Sequence, residues 1–228
     1  MKRQNVLICF AMLYLLSSTP VNTAQSDKPT FSLPTYSPKA FNDVRGLSRD
    51  QITEHKTLYE NYVKKRNQIT QNLATVSRQD AASTTYSPFR ELKIEETYAY
   101  NGSILHELYF ENLSGRQGAP GKNTTNLLVK SFGSIDAWKS DFIDCAGCAR
   151  GWVLVAYSLD DNLVHNFVLE SHNDKVPVLT IPLIVFDAYE HAYFTDFGID
   201  RQSYITRFLQ TLNWSVVEAR TGKWLRMT

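Results

Sequence analysis

Residues 179–191, L-T-I-P-L-I-V-F-D-A-Y-E-H, run from an apolar stretch into Asp187 and reach His191 four residues later. The stretch Leu179–Phe186 is almost all apolar, which predicts a strand buried on both faces and therefore central in its sheet. A helix over Ala188–Phe194 is expected to follow. Asp187 at the strand end and His191 on that helix would turn a carboxylate and an imidazole to the same side.

Working outward, Trp152–Leu159 and Leu163–Glu170 alternate as strands around a turn at Asp160–Asn162, giving an antiparallel hairpin. A helix starting at Ser134 or Asp136 precedes the hairpin and ends near Gly147. Another is expected over Arg201–Leu212. Upstream, S-G-R-Q-G-A-P-G-K-N at 114–123 is the clearest linker in the chain. Before it, Ser48 is a plausible N-cap and Asp50 favours the first turn of a helix that can extend to Val76. A second helix covers roughly Glu95–Leu113, after the turn-rich segment 77–88. The expected architecture is α+β: a helical hairpin domain with an extended tail over 25–113, the linker, and a domain over 124–228. The latter carries a three-stranded antiparallel sheet with flanking helices.

The first residues are set aside. Lys2 and Arg3 followed by the apolar run Val6–Leu16 and the small, polar segment 17–24 predict a signal peptide over 1–24. The run is shorter than the ~20 residues needed to span a bilayer, although a retained anchor is the alternative. The expected product is an exported protein with no membrane association after signal removal. The periplasm is the expected destination and secretion the alternative. A net charge of +1 argues against nucleic-acid partners. Cys9 leaves with the signal. Cys145 and Cys148, spaced C-A-G-C, can be a local disulfide, free thiols, a redox pair or half a metal site.

Five histidines punctuate the chain, at positions 55, 106, 165, 172 and 191. A lone histidine in the middle of a helix is more often a satisfied structural residue than a ligand. The Asp187/His191 pair changes the weighing of His55 and His106. Three imidazoles and a carboxylate form a donor set of intermediate hardness that suits iron or manganese, and zinc less specifically.

The stretch D-A-Y-E-H-A-Y at 187–193 resembles the D-x-W-E-H-A-Y signature of the iron/manganese superoxide dismutases. The resemblance extends to F-G-S-I-D-A-W at 132–138, R-G-W at 150–152, R-Q-S-Y at 201–204 and L-N-W at 212–214. In the N-terminal half, E-H at 54–55 with Y-V at 62–63, and N-G-S-I-L-H-E-L-Y-F-E-N-L at 101–113, resemble the two ligand helices of that family. The resemblance covers about residues 45–218. It implies dismutation of superoxide to dioxygen and hydrogen peroxide by redox cycling of one iron or manganese ion per subunit. It implies His55, His106, Asp187 and His191 as ligands, and a homodimer in which Glu190 pairs with the partner subunit's His191.

The departures from the family pattern surround the ligands. A glutamine usually hydrogen-bonds solvent at the metal from one of two places. Here one place holds Gly102 and the other reads S-H-N-D at 171–174. His172 is the candidate replacement, with Asn173 its rival. Tyr62 is the candidate for the family's gateway tyrosine, with Tyr59 its rival, since both share a helix face with His55. Tyr189 replaces tryptophan as an aromatic wall. Tyr59 takes the place of a histidine common in the family, and Phe194 that of the tyrosine that pairs with it across the dimer, so a different bridge is expected there. His165, Trp138, Tyr109 and Trp152 are read as structural or core residues, and the sequons at Asn101, Asn112, Asn123 and Asn213 as chance matches. The missing glutamine keeps open a catalytically impaired relative that only binds metal or a partner. A zinc hydrolase on the same ligands lacks an evident general base. The choice between iron and manganese stays open.

Overall fold

The computed structural model of the chain describes residues 33–113 and 118–225. The expected signal peptide, the first part of the tail and residues 114–117 of the linker lie outside the described residues.

Helix α1 spans Arg49–Thr75, with the Ser48 hydroxyl accepting from the Gln51 N–H as expected of its cap. Helix α2 spans Pro88–Asn112, starting seven residues before the expected Glu95. Ser87 caps it by accepting from the Arg90 N–H, and Pro88 sits in the first turn, where a missing N–H costs nothing. The two helices pack along each other.

Two helices have no counterpart in the sequence reading: α3 over Lys122–Phe132 and, after α4 (Ile135–Cys148), α5 (Phe194–Phe197) and α6 (Arg201–Thr211), the last helix α7 over Trp214–Leu225. The reason is visible at the start of α3. Its N-cap is Gly121, which has no side chain to offer. Glu218 of α7 reaches over instead and accepts from the Asn123 and Thr124 N–H groups at 3.0 and 2.9 Å. A Cβ on Gly121 would lie 2.4 Å from the Glu218 carboxyl carbon, so the glycine makes room for its distant cap.

Strands β1 (Trp152–Ser158), β2 (Val164–Leu169) and β3 (Thr180–Asp187) form an antiparallel sheet in the order β2-β1-β3. The expectation that the apolar third strand is central is therefore corrected: β1 is central, and every residue of it is buried. β3 is apolar because helices cover its outer edge. Asn112 at the end of α2 accepts from the Val185 N–H at 2.9 Å, and Arg220 of α7 donates to the Leu183 carbonyl at 2.9 Å. These bonds satisfy edge groups that would otherwise stand open. The register places Trp152 of β1 between Leu169 and Asp187.

The expected helix over Ala188–Phe194 is also corrected. A 3₁₀ turn, Glu190–Ala192, follows β3, and α5 is a separate short helix. One apolar core joins both helices of the hairpin to the sheet, with Tyr109, Phe110, Trp138, Phe142, Trp152 and Phe186 fully buried. Among the described residues no helix is long and apolar enough to cross a membrane.

Candidate metal centre

Four elements converge on one point inside this core. His55 comes from the second turn of α1 and His106 from the C-terminal half of α2. Asp187 is the last residue of β3, and His191 lies in the 3₁₀ turn. One ligand atom from each lies within 4.8 Å of the others. Around the Asp187 Oδ2 atom, the Nε2 atoms of His55 and His191 lie at 3.1 Å and that of His106 at 3.6 Å. His55, His106 and Asp187 are buried, while the His191 side chain keeps 30% of its exposure.

The protonation pattern fits a cation. His106 Nδ1 lies 2.6 Å from the Gly102 carbonyl, so the proton sits on Nδ1 and donates to that oxygen. Its Nε2 lone pair is then aimed into the cluster, buried, with no hydrogen-bond partner. Burial pushes the pKa of His55 below the ordinary imidazole value, and that of His106 well below it, so both rings are neutral. Burial pushes the Asp187 carboxyl up, but electrostatic attraction and hydrogen bonds from His191 and His55 outweigh it and hold its pKa below the ordinary carboxylate value. Its other oxygen accepts from the Tyr189 N–H at 3.0 Å. A buried carboxylate facing imidazole lone pairs wants a metal ion between them.

The surroundings are built by aromatic side chains. Tyr62 stacks on the His106 ring at 5.1 Å between centroids. Its hydroxyl lies 2.7 Å from His172 Nε2, and His172 Nδ1 accepts from the Trp152 indole N–H at 2.8 Å. Because an indole nitrogen only donates, His172 carries its proton on Nε2 and gives it to the Tyr62 oxygen. Burial lowers the His172 pKa to about 4, which keeps that ring neutral. His172 is 1% exposed, whereas the Asn173 side chain points to Thr97 and Ser171 at the surface. Of the two rivals, His172 is therefore the one beside the cluster.

Tyr59 and Tyr62 also part company. Tyr59 packs on Phe41 and Phe110, and its hydroxyl meets the Lys39 N–H and Glu107. It pins the tail to α1 rather than facing the ligands. Gly102 is explained by Tyr62: a Cβ there would lie 2.7 Å from the Tyr62 ring. Glu190 is exposed beside His191 and stands outside the ligand cluster. It lines an open cleft of about 390 Å³ with Arg150, Tyr189, His191 and Arg201. Phe194 is 52% exposed. Trp138 is core and bonds Asn166, and His165 pairs with Asp161 at the surface.

Two residues escaped the sequence reading. Gln51, buried one turn before His55, donates to the His191 carbonyl at 2.7 Å and accepts from the Thr195 N–H at 3.0 Å. Tyr98 packs against His172 with the rings tilted by 58° and their centroids 4.6 Å apart. A polar residue four before a helical ligand was the available signal for Gln51. Nothing local marks Tyr98.

Residues 120–220 match the sequence profile of the iron/manganese superoxide dismutases, C-terminal domain. The chain is 37% identical over 185 residues to "Superoxide dismutase [Fe]" of Aquifex pyrophilus, covering 79% of this chain and 87% of that protein. Similarity of the same extent holds for "Superoxide dismutase [Fe]" of Aquifex aeolicus. It is 29% identical over 176 residues to "Superoxide dismutase [Mn] 2" of Haloferax volcanii, covering 76% of this chain and 86% of that one.

Proposed function

Since the chain belongs to the iron/manganese superoxide dismutase family, we propose that His55, His106, Asp187 and His191 hold the iron or manganese ion with which it dismutes superoxide. Two superoxide anions and two protons become dioxygen and hydrogen peroxide. Bound there, an iron or manganese ion would supply one-electron redox chemistry through two accessible oxidation states.

The chain's own residues supply position, charge and protons. Held by three imidazole nitrogens and one carboxylate, a cation would be offset by the single negative charge of Asp187. Burial raises the Tyr62 pKa well above the ordinary phenol value, so Tyr62 keeps its proton. His172 fills the acceptor side of the Tyr62 oxygen, and Tyr98 shares a hydrogen bond with the same hydroxyl. His172 thus stands in for the family's glutamine. It accepts from Trp152 on one side and donates to the gateway Tyr62 on the other.

Arg201 donates to the carbonyls of Gly147, Ala149 and Ala188 and to the Tyr193 hydroxyl. None of these is a carboxylate, so they leave its charge uncancelled in the cleft that it shares with Glu190 and His191.

The reading of Glu190 rests on position. It is exposed next to the only ligand whose side chain is part-exposed, and Phe194 leaves apolar surface nearby. A homodimer in which Glu190 meets the partner subunit's His191 would cover all three. Export to the periplasm, or secretion, is supported by Lys2, Arg3 and the apolar run Val6–Leu16.

The observation that carries the functional reading is the buried, unpartnered Nε2 of His106 aimed at Asp187 Oδ2. Metal content and superoxide decay measured on the same preparation test it. One bound iron or manganese per chain with accelerated decay is expected. A fully loaded protein that leaves decay at the uncatalysed rate would overturn it.

A further inference from the structure

The C-A-G-C segment plays no part in the metal centre. Cys145 and Cys148 lie in the last turn of α4, and both thiols are free. Residues three apart on an α-helix have Cα atoms roughly 5 Å apart, inside the ~4.4–6.8 Å range that a disulfide spans. The Cys148 thiol folds back over the same turn and donates to the Cys145 carbonyl at 3.4 Å. The pair is also asymmetric. Cys148 is exposed. Cys145 is half-buried against β2, its thiol directed to the Asn166 carbonyl and the Asp141 carboxylate, each at 3.8 Å. Burial, with the negative charge of Asp141, pushes the Cys145 thiol up to about 11.

The turn that carries them can be reshaped. Gly147 between the two cysteines is a weak helix former, and a Cβ there would meet nothing within 4 Å. The helix ends one residue after it, at Cys148.

From this geometry we infer that Cys145 and Cys148 form a reversible dithiol–disulfide site, oxidised by hydrogen peroxide, with exposed Cys148 the attacking thiol. The Cys148 thiolate attacks one peroxide oxygen, the O–O bond breaks, and hydroxide leaves. The resulting sulfenic acid is attacked by the Cys145 sulfur, which forms the S–S bond and releases water. In sum, two thiols and one hydrogen peroxide give one disulfide and two waters, with two electrons passing from sulfur to oxygen. The proposed dismutation supplies that oxidant as its own product, and the inference rests on that reading only for the oxidant's source. The place is consequential: Arg201 binds the carbonyls of Gly147 and Ala149 and that of Ala188, the residue after Asp187.

The test adds peroxide directly, so that it does not depend on dismutase activity. The metal-loaded full chain is reduced and desalted. It is then treated with an equimolar amount of hydrogen peroxide, alkylated and mapped by mass spectrometry. The peptide holding both cysteines is expected to lose two hydrogens and take no alkyl group, then take two after dithiothreitol. In Cys145→Ser, Cys148 is expected to be trapped as a sulfenic acid by dimedone, while in Cys148→Ser the Cys145 thiol stays reduced. Two alkylated thiols after peroxide, a bridge between chains, or oxidation of Cys145 before Cys148 would each overturn the proposal.

Discussion

His172 and Trp152 are joined by a 2.8 Å hydrogen bond that fixes which imidazole nitrogen carries the proton. The indole N–H occupies Nδ1, so Nε2 donates to Tyr62 at 2.7 Å, and one ring spans two aromatic partners. His172→Ala breaks both bonds and leaves a buried indole N–H without an acceptor. Activity is expected to fall about 10–100-fold, the usual effect of losing a group that orients a metal site. His172→Gln is expected to recover most of it, because an amide can accept from Trp152 and donate to Tyr62. Superoxide decay rates normalised to bound metal decide the matter. Equal rates for His172→Ala and the unaltered protein would remove His172 from the mechanism.

The convergent donors also predict a stability effect. Without a cation, the buried Asp187 carboxylate faces the His106 Nε2 lone pair, which has no partner. A metal that binds only the folded chain adds about 4 kcal/mol when free metal is 1,000 times its Kd. For a chain of this size that corresponds to a rise of roughly 10 °C in Tm. Calorimetry on the stripped protein, with and without manganese or iron, reads this directly. A Tm indifferent to metal would speak against a site assembled by these four residues.

Asp187 and His191 were legible because one lies at the end of an apolar run and the other follows at a short, fixed spacing. His55 and His106 were not legible by themselves. Each is a single imidazole on a long helix, and only the resemblance joined them to a pair more than 80 residues away. What escaped reading altogether depends on contacts between distant segments. Glu218 capping α3 leaves no trace near Lys122, and only the first two residues of α3 fall in the linker read over 114–123, the rest carrying no assignment. β3 looked central because its helical cover from Asn112 and Arg220 is invisible in the strand itself. His172 was visible as a substitution, but its tautomer depended on Trp152, twenty residues before it.

Glu218 gives a pH-dependent test of that remote cap. Burial raises its pKa, but hydrogen bonds from Thr124 and Asn123 outweigh this and hold it below the model-peptide value of 4.5. A depressed folded-state pKa contributes stability above the unfolded value, and that contribution is lost as pH falls through the folded one. Glu218→Gln is therefore expected to be less stable than the unaltered chain at pH 7, by about 1 kcal/mol for a helix cap. The difference should shrink as pH falls below 4.5. Urea unfolding of both proteins at pH 7 and pH 3.5 measures it, and a gap that widens in acid contradicts the assignment.

Gly102 is expected to tolerate no side chain while Tyr62 stays where it is. A Cβ 2.7 Å from the Tyr62 ring forces that ring off His106. Gly102→Ala should cost about 1–3 kcal/mol by overpacking and lower activity by displacing the phenol. Replacing Tyr62 with leucine removes the clash, so the two substitutions should be strongly non-additive. A double-mutant cycle on unfolding free energy checks this. Additive effects would mean that Tyr62 does not fill the space beside Gly102.

Gln51 ties α1 to the turn that carries His191, through one bond given to the His191 carbonyl and one accepted from Thr195. The turn has no regular helix to hold it, since only Glu190–Ala192 form a 3₁₀ turn. The orientation of His191 therefore leans on this buried amide. Gln51→Ala removes both bonds and is expected to weaken metal binding about 10–100-fold, with loss of about 1–3 kcal/mol from the unpaired buried groups. Gln51→Glu keeps the acceptor for Thr195 but cannot donate to the carbonyl, so it should fall between the two. Competition with a chelator of known affinity ranks the three proteins. Equal metal affinity in all three would show that β3 and α5 position His191 without help from α1.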